Sequence, residues 1–247
     1  MGALSGLEFA GFAQRDILAD LRELAFNYLN KYTQRQGKTR WVEKTAFDIY
    51  HLNEIELLCE DQVTYLGILR HPLDVAVSSK EFCDAAGMYP REMHTYIQSY
   101  SQPIEAFVQS WIDTTQALIE LGKNRPENCI ICRYEDLVEE PRDTLTDLLN
   151  FLGEDFEEVI LTKAFQAGDT LGFSDHKSYQ AKEVHRQSVE KWRSLPAQQI
   201  AQMAEKVNPL LELCGYDLID GYTVKNAQES RRRYLNSLMI NANQTAK

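Results

Sequence analysis

The stretch Thr64 to Phe82, TYLGILRHPLDVAVSSKEF, decides how this chain of 247 residues is read. Tyr65, Leu66, Ile68 and Leu69 form an apolar run that ends at Arg70, and the run predicts a buried strand. A turn at His71-Pro72 follows, then a helix-like segment carrying Asp74 and Ser78. Pro72 suits the first position of a helix, and Asp74 falls in the first turn, where negative charge is favourable. Asp74 therefore reads as serving the helix N-terminus, and His71 as a solvated turn residue. In open α/β sheets ligands sit beyond the carboxyl ends of the strands. The free N–H groups of the next helix favour an anion there. Arg70 adds a planar, permanently charged fork suited to phosphate.

Outward from this stretch, helices alternate with strands. Ile17, Leu18, Leu21, Leu24, Ala25, Tyr28, Leu29 and Tyr32 predict a helix over 14–35, with Gly37 beyond it. Thr39 to Val42 reads as a short strand leading into the Glu43-Lys44-Thr45 turn. A helix carrying Ile49, Leu52, Ile55, Leu57 and Leu58 comes next. Residues 84–102 read as a polar and aromatic surface segment able to cover a substrate pocket. A long helix is expected over 104–121, a strand over 128–132, and a helix from Pro141 to Gly153. Further helices are expected over 156–165, 184–192 and 197–214, with a Gly-rich loop over 166–182. The alternation predicts an α/β fold with a parallel sheet. The expected organisation is an N-terminal helical segment over 1–37, an α/β core over 38–222 and a polar tail over 223–247.

Composition sets the class. The chain is 44% hydrophobic and 26% charged, enough apolar material for a substantial core. Its formal net charge of −11 argues against nonspecific nucleic-acid binding and against an anionic membrane surface. A small polyanion remains compatible, because a few arginines and lysines can build a local positive pocket. No apolar run approaches the ~20 residues a membrane span needs. The first residues lack the basic and apolar regions of a secretory signal, so the expected location is cytoplasmic. Five scattered cysteines suggest reduced thiols. Cys129 and Cys132 lie in an apolar strand-like run and read as core. No second pair at metal spacing accompanies them, so no metal is expected.

The residues also point to a family. RHPLDVAVS resembles the sulfotransferase segment that binds the 3′-phosphate of the donor PAPS (3′-phosphoadenosine 5′-phosphosulfate), with Arg70, Pro72, Asp74 and Ser78 at the motif positions. WVEKTAF, Trp41 to Phe47, resembles the family's catalytic strand end before this motif. RYEDLVEEPRDTLTDLLNFLG, Arg133 to Gly153, resembles the strand–loop–helix after it, where a tyrosine contacts the adenine side of the donor. The three matches occur in family order and cover roughly residues 38–215. The resemblance implies a P-loop-NTPase-like parallel sheet flanked by helices. The family's Gly/Ser/Thr-rich loop for the 5′-phosphosulfate has no counterpart in these residues. The expectation is therefore a bacterial-type member whose first strand and loop are missing through truncation. Such a protein would expose a sheet edge, so self-association is expected.

Roles follow residue by residue. Glu43 is the expected base, with Lys44 stabilising the bridging oxygen; the competing reading is an exposed turn salt bridge. Arg70 and Ser78 are the expected 3′-phosphate ligands. Tyr134 is expected against adenine, or else as a half-buried sheet-edge residue. Arg186 falls in the family's basic Arg-Lys-Gly segment, whose outer positions are His185 and Gln187 here. His185 is a further acid/base or donor ligand, against an exposed helical histidine. Lys177 and Lys182 lie on the preceding loop and read as solvated. Glu135 and Asp136 read as local turn residues, and Trp111 and Trp192 as core.

The resulting expectation is a sulfotransferase moving a sulfuryl group from PAPS, without a metal, to the hydroxyl of a small acceptor. The alternative is a noncatalytic nucleotide-binding or interaction domain derived from that fold. A nucleotide kinase is disfavoured, because no G-x-x-x-x-G-K-[ST] loop exists here.

Overall fold

The structure, a computed structural model, describes residues 2–163 and 186–219. These divide into two compact units, with the boundary between Thr64 and Tyr65.

The first unit is helical. α1 spans Gly2–Phe9 and α2 spans Gln14–Arg35, where the apolar spacing placed a helix. A 3-10 turn, Asp48–His51, leads into α3, Leu52–Cys59. Arg22 of α2 is buried and reaches the C-terminal end of α3. Its Nε donates to the Leu58 carbonyl, and its Nη2 lies 2.8 Å from the Glu60 carboxylate. The Leu58 carbonyl is among the last of α3, which lack partners within a helix. The strand expected over Thr39 to Val42 does not form. Trp41 instead lies against Phe26, at 5.5 Å between ring centroids, and its indole N–H donates to Asn30. That anchorage ties the segment to a helix, and Val42 points into solvent.

The second unit is built on two parallel strands, β1 (Tyr65–Leu69) and β2 (Cys129–Arg133). Tyr65 faces Cys129 and Leu69 faces Arg133, so both strands deliver their next residues to the same end. α4 (Pro72–Ala86) follows β1 across the two-residue turn, and its Pro72 sits in the first turn as expected. α5 (His94–Ser99) and α6 (Pro103–Asn124) carry the chain to β2. Part of the segment expected as surface is thus helical, with Met93 buried before α5. Ile104, Phe107, Val108, Trp111, Leu118 and Leu121 recur at helical spacing and make one buried face of α6.

Gly67 explains how closely α6 covers the sheet. A Cβ there would meet Leu118 Cδ1 at 2.8 Å. The opposite face of β1 stays open, with Leu66 44% and Ile68 59% exposed. Cys129 and Cys132 are buried, as expected, and all five cysteines are free thiols.

After β2 come α7 (Tyr134–Glu139) and α8 (Pro141–Leu152), the latter ended by Gly153 in the left-handed region at φ 71°. The helix expected over 156–165 is shorter, α9 at Ile160–Lys163. The helix expected over 184–192 is not formed in its described part. Residues 186–190 run through turns and bends, and a 3-10 turn occupies Lys191–Ser194. Glu190 has φ 63°, a backbone geometry that breaks a right-handed helix. α10 (Ala197–Leu213) then packs on α6, and Ile200, Met203, Val207 and Leu211 recur along it as buried residues. The architecture is a helix-rich α/β unit with a small parallel sheet. No described helix is long and apolar enough to cross a membrane.

Candidate functional site

The end of β1 and the start of α4 bring several named side chains together. Arg70 directly follows β1. Its guanidinium lies over the ring of Tyr134, the first residue after β2, at 4.9 Å from the centroid. The parallel register puts these two residues side by side. One Arg70 arm donates through Nη2 to the carbonyl of Ser188, while its Nε is buried with no hydrogen-bond partner among the described residues. The Arg70 carbonyl is fixed by the indole N–H of Trp111 at 3.0 Å. Trp111 is core, as expected, and it also positions the backbone of the strand tip.

Ser78 lies half-buried on α4, one turn after Asp74 and three residues before Glu81. Residues at these spacings share a helix face. The flanking members of that face touch one returning segment. Asp74 accepts the N–H of Glu190 at 2.7 Å and that of Trp192 at 3.0 Å; Glu81 lies 3.5 Å from Lys191. Asp74 sits in the first turn of α4, as expected, but its hydrogen bonds go to the returning segment. It makes no capping bond to its own helix and is 1% exposed. Burial raises its pKa above the ordinary carboxylate range, against the lowering effect of the two N–H groups and of Arg70.

A second buried carboxylate braces the turn. Glu135 accepts the backbone N–H of His71 at 2.9 Å and the hydroxyl of Tyr216 at 2.8 Å. Burial pushes its pKa up as well, partly offset by these bonds. Glu135 is thus an internal link, not the local turn residue expected. Arg133 beside it donates to the Gly215 carbonyl at 2.9 Å, lies 3.4 Å from Asp136, and stacks over Tyr216 at 4.6 Å.

His71 is likewise not a solvated turn residue. Its ring stacks on Trp192 at 4.9 Å between centroids and meets Tyr216 edge-on at 5.7 Å. Burial, with Arg193, Arg133 and Arg70 nearby, depresses its pKa to about 3. It stays neutral at ordinary pH, and the fixed positive charge beside the turn belongs to the arginines. No sequence signal linked Asp74 to Glu190 or Glu135 to Tyr216, since each pair is more than 80 residues apart.

Arg186 is exposed and pairs with Glu139. His185 lies outside the described residues, as do Lys177 and Lys182. Glu43 and Lys44 belong to the first unit and lie exposed in an irregular stretch, not at a strand end. Glu43 accepts the Thr45 hydroxyl at 2.6 Å, and Thr45 N–H donates to Asp48. The Thr45 bond lowers the Glu43 pKa, but sharing a hydrogen bond with Asp48, partial burial and the Asp48 charge together raise it overall. A cavity of about 260 Å³, lined by Glu105, Val108, Gln202, Met203, Glu205 and Lys206, contains none of these residues.

Residues 8–158, more than half of the chain, match the model of the Sulfotransferase family. The chain is 25% identical over 120 residues to a Caenorhabditis elegans protein provisionally named a protein-tyrosine sulfotransferase, covering 47% of this chain and 46% of that one. It is 27% identical over 124 residues to mouse Carbohydrate sulfotransferase 4, covering 49% of this chain and 32% of that one. Among solved structures, the sulfotransferase domain of the Synechococcus PCC 7002 olefin synthase superposes with a TM-score of 0.51 at 26% identity, covering 80% of this chain and 64% of that one. The sulfotransferase domain from the curacin biosynthetic pathway gives 0.50 at 21% identity, covering 67% and 61%, and speaks to the fold alone. The chain spans about half or less of the length of the two curated relatives. It belongs to the sulfotransferase family.

Proposed function

We propose that the turn from β1 to α4 holds the 3′-phosphate of PAPS, and that the protein transfers the sulfuryl group of that donor to the hydroxyl of a small acceptor. One observation carries the reading. Arg70 stands at the strand tip with one arm engaged and a buried Nε unpaired, beside the first turn of α4. Buried donors are nearly always paired, so a donor left over at a helix N-terminus calls for an anionic partner. Ser78 supplies a hydroxyl on the same helix, and Arg186 a second guanidinium on the returning segment. Tyr134, held under Arg70, packs against the adenine side in this reading.

The chemistry asks little covalent work of the protein. The acceptor oxygen forms a bond to sulfur while the bond from sulfur to the bridging phosphate oxygen breaks. The electron pair of that bond leaves with the 5′-phosphate, and the acceptor proton goes to a base. By analogy with phosphoryl transfer, catalysis is chiefly positioning and electrostatic stabilisation. Glu43 is the base in this reading, and the raised pKa of its carboxylate makes it a stronger proton acceptor than an ordinary one. Lys44 stabilises the charge on the bridging oxygen, and His185 is a second acid or base. No metal is required. The hydroxyl acceptor agrees with the names of the two curated relatives, one directed at tyrosine and one at carbohydrate. The open apolar face of β1 favours self-association.

Calorimetric titration with adenosine 3′,5′-bisphosphate tests the reading. Binding that is lost in Arg70→Ala and kept in Glu43→Gln supports a donor site with a separate base. Because the sequence has no 5′-phosphosulfate loop, a noncatalytic nucleotide-binding domain is the second reading. Binding without any turnover of PAPS over a panel of hydroxylated acceptors would favour it. No binding at all would leave an interaction domain.

A further inference from the structure

We infer that Asp74 is a positioning residue for the donor site: it holds Ser188 to Trp192 as the wall that aims Arg70. The inference rests on the donor reading above and adds a role for a residue that need not touch the nucleotide.

The observations converge on one turn. Both Asp74 oxygens are used on the same short segment, one on the N–H of Glu190 and one on that of Trp192. Between those two N–H groups the backbone passes through the left-handed region at Glu190, φ 63°, which is unfavourable for any residue with a Cβ. A carboxylate that bridges both sides of such a residue holds it there. Two residues earlier, the Ser188 carbonyl accepts from Arg70. Asp74 thus fixes the turn, the turn fixes the Ser188 carbonyl, and that carbonyl fixes one arm of the guanidinium. The ring of Tyr134 lies beneath the guanidinium. Nε is left without a hydrogen-bond partner among the described residues.

A purely packing role is poorly served by this residue. A carboxylate at 1% exposure carries a desolvation cost that an apolar side chain of similar size would avoid. Its two acceptors match two backbone donors, and that of Trp192 is buried, where an unpaired N–H is costly. Ser78 lies between Asp74 and Glu81, on the face that meets residues 190–192. The turn therefore forms one side of the space in which Arg70 and Ser78 would share a phosphate.

The test compares the full chain with Asp74→Asn and with the double variant Asp74→Asn/Glu190→Gly. Asparagine keeps one acceptor but turns a donor toward an N–H group. The single variant is expected to bind adenosine 3′,5′-bisphosphate about tenfold more weakly, the scale of one lost charge-assisted hydrogen bond. Glycine accepts the left-handed backbone at little cost, so Glu190→Gly is expected to recover about threefold of that loss. A second measurement needs no variant. In the unmodified chain, saturating nucleotide should slow amide exchange at Glu190 and Trp192. Cooperative unfolding of Asp74→Asn with undiminished nucleotide affinity would overturn the inference while leaving the donor reading intact. Exchange at those two amides unmoved by bound nucleotide would do the same. An unmodified chain that binds no nucleotide would overturn the donor reading itself, and this inference with it.

Discussion

The guanidinium of Arg70 lies over the ring of Tyr134, 4.9 Å from its centroid, because β1 and β2 run parallel with Leu69 opposite Arg133. The residue after each strand therefore meets its counterpart at the same sheet end. An arginine held over an aromatic ring is pre-oriented, and less entropy is lost when its other donors engage an anion. Tyr134→Phe should keep nucleotide affinity within about twofold. Tyr134→Ala should weaken it by roughly threefold to tenfold, the scale of one cation–π contact. Titration calorimetry on the two variants checks this, and equal affinities would remove the platform role.

Glu43 is predicted to act on turnover and not on donor binding. Glu43→Gln should lower kcat by about 10²- to 10⁴-fold, the usual contribution of a general base. Its affinity for adenosine 3′,5′-bisphosphate should stay unchanged. Radiolabelled sulfuryl transfer measured beside calorimetry separates the two effects. A variant with full turnover would assign Glu43 to the Thr45 and Asp48 turn alone.

Gly67 is predicted to be a packing requirement of the sheet. An added methyl at that position meets Leu118 at 2.8 Å and 2.9 Å and Ile131 at 3.2 Å. Gly67→Ala should cost about 1–3 kcal/mol, the range for overpacking a filled core. Urea unfolding measures it. A paired Leu118→Ala substitution should make the Gly67→Ala step less costly, because it removes the clashing carbons.

His71 predicts a loss of stability in acid. Its folded pKa is about 3 against an ordinary 6.5, so the unfolded chain takes up a proton that the folded chain refuses. Its stabilising contribution is complete above 6.5 and is lost as pH falls toward 3. The raised carboxylates Asp74 and Glu135 run the other way. Their folded forms hold protons longer, so their contribution falls as pH rises through their folded values. His71→Phe keeps an aromatic ring against Trp192 and cannot titrate. Urea midpoints at about pH 7 and about pH 4.5 should therefore differ less in the variant than in the unmodified chain. An unaltered difference would place the acid sensitivity elsewhere.

Much of the second unit was legible in the sequence. The apolar run closed by Arg70, the proline after it and the glycine at 153 marked β1, α4 and the end of α8, since strand burial and helix ends leave local signals. The strand over 39–42 and the helix over 184–192 misled for a common reason. Local patterning was overruled by distant partners, Phe26 and Asn30 holding Trp41, and Asp74 holding Glu190 and Trp192. The buried roles of Asp74, Glu135 and His71 were illegible for the same reason. Each depends on a partner far along the chain, and acidic and imidazole side chains next to a turn ordinarily face water.

The donor reading is tested most directly by how strongly the protein distinguishes adenosine 3′,5′-bisphosphate from adenosine 5′-monophosphate, measured in the unmodified chain and in Arg70→Ala. The two ligands differ only in the 3′-phosphate. The unmodified chain should prefer the bisphosphate by about 100-fold, roughly 2.7 kcal/mol, and Arg70→Ala should reduce that preference to a few-fold. Equal affinity for both nucleotides in the unmodified chain, or a preference that survives loss of the guanidinium, would contradict it.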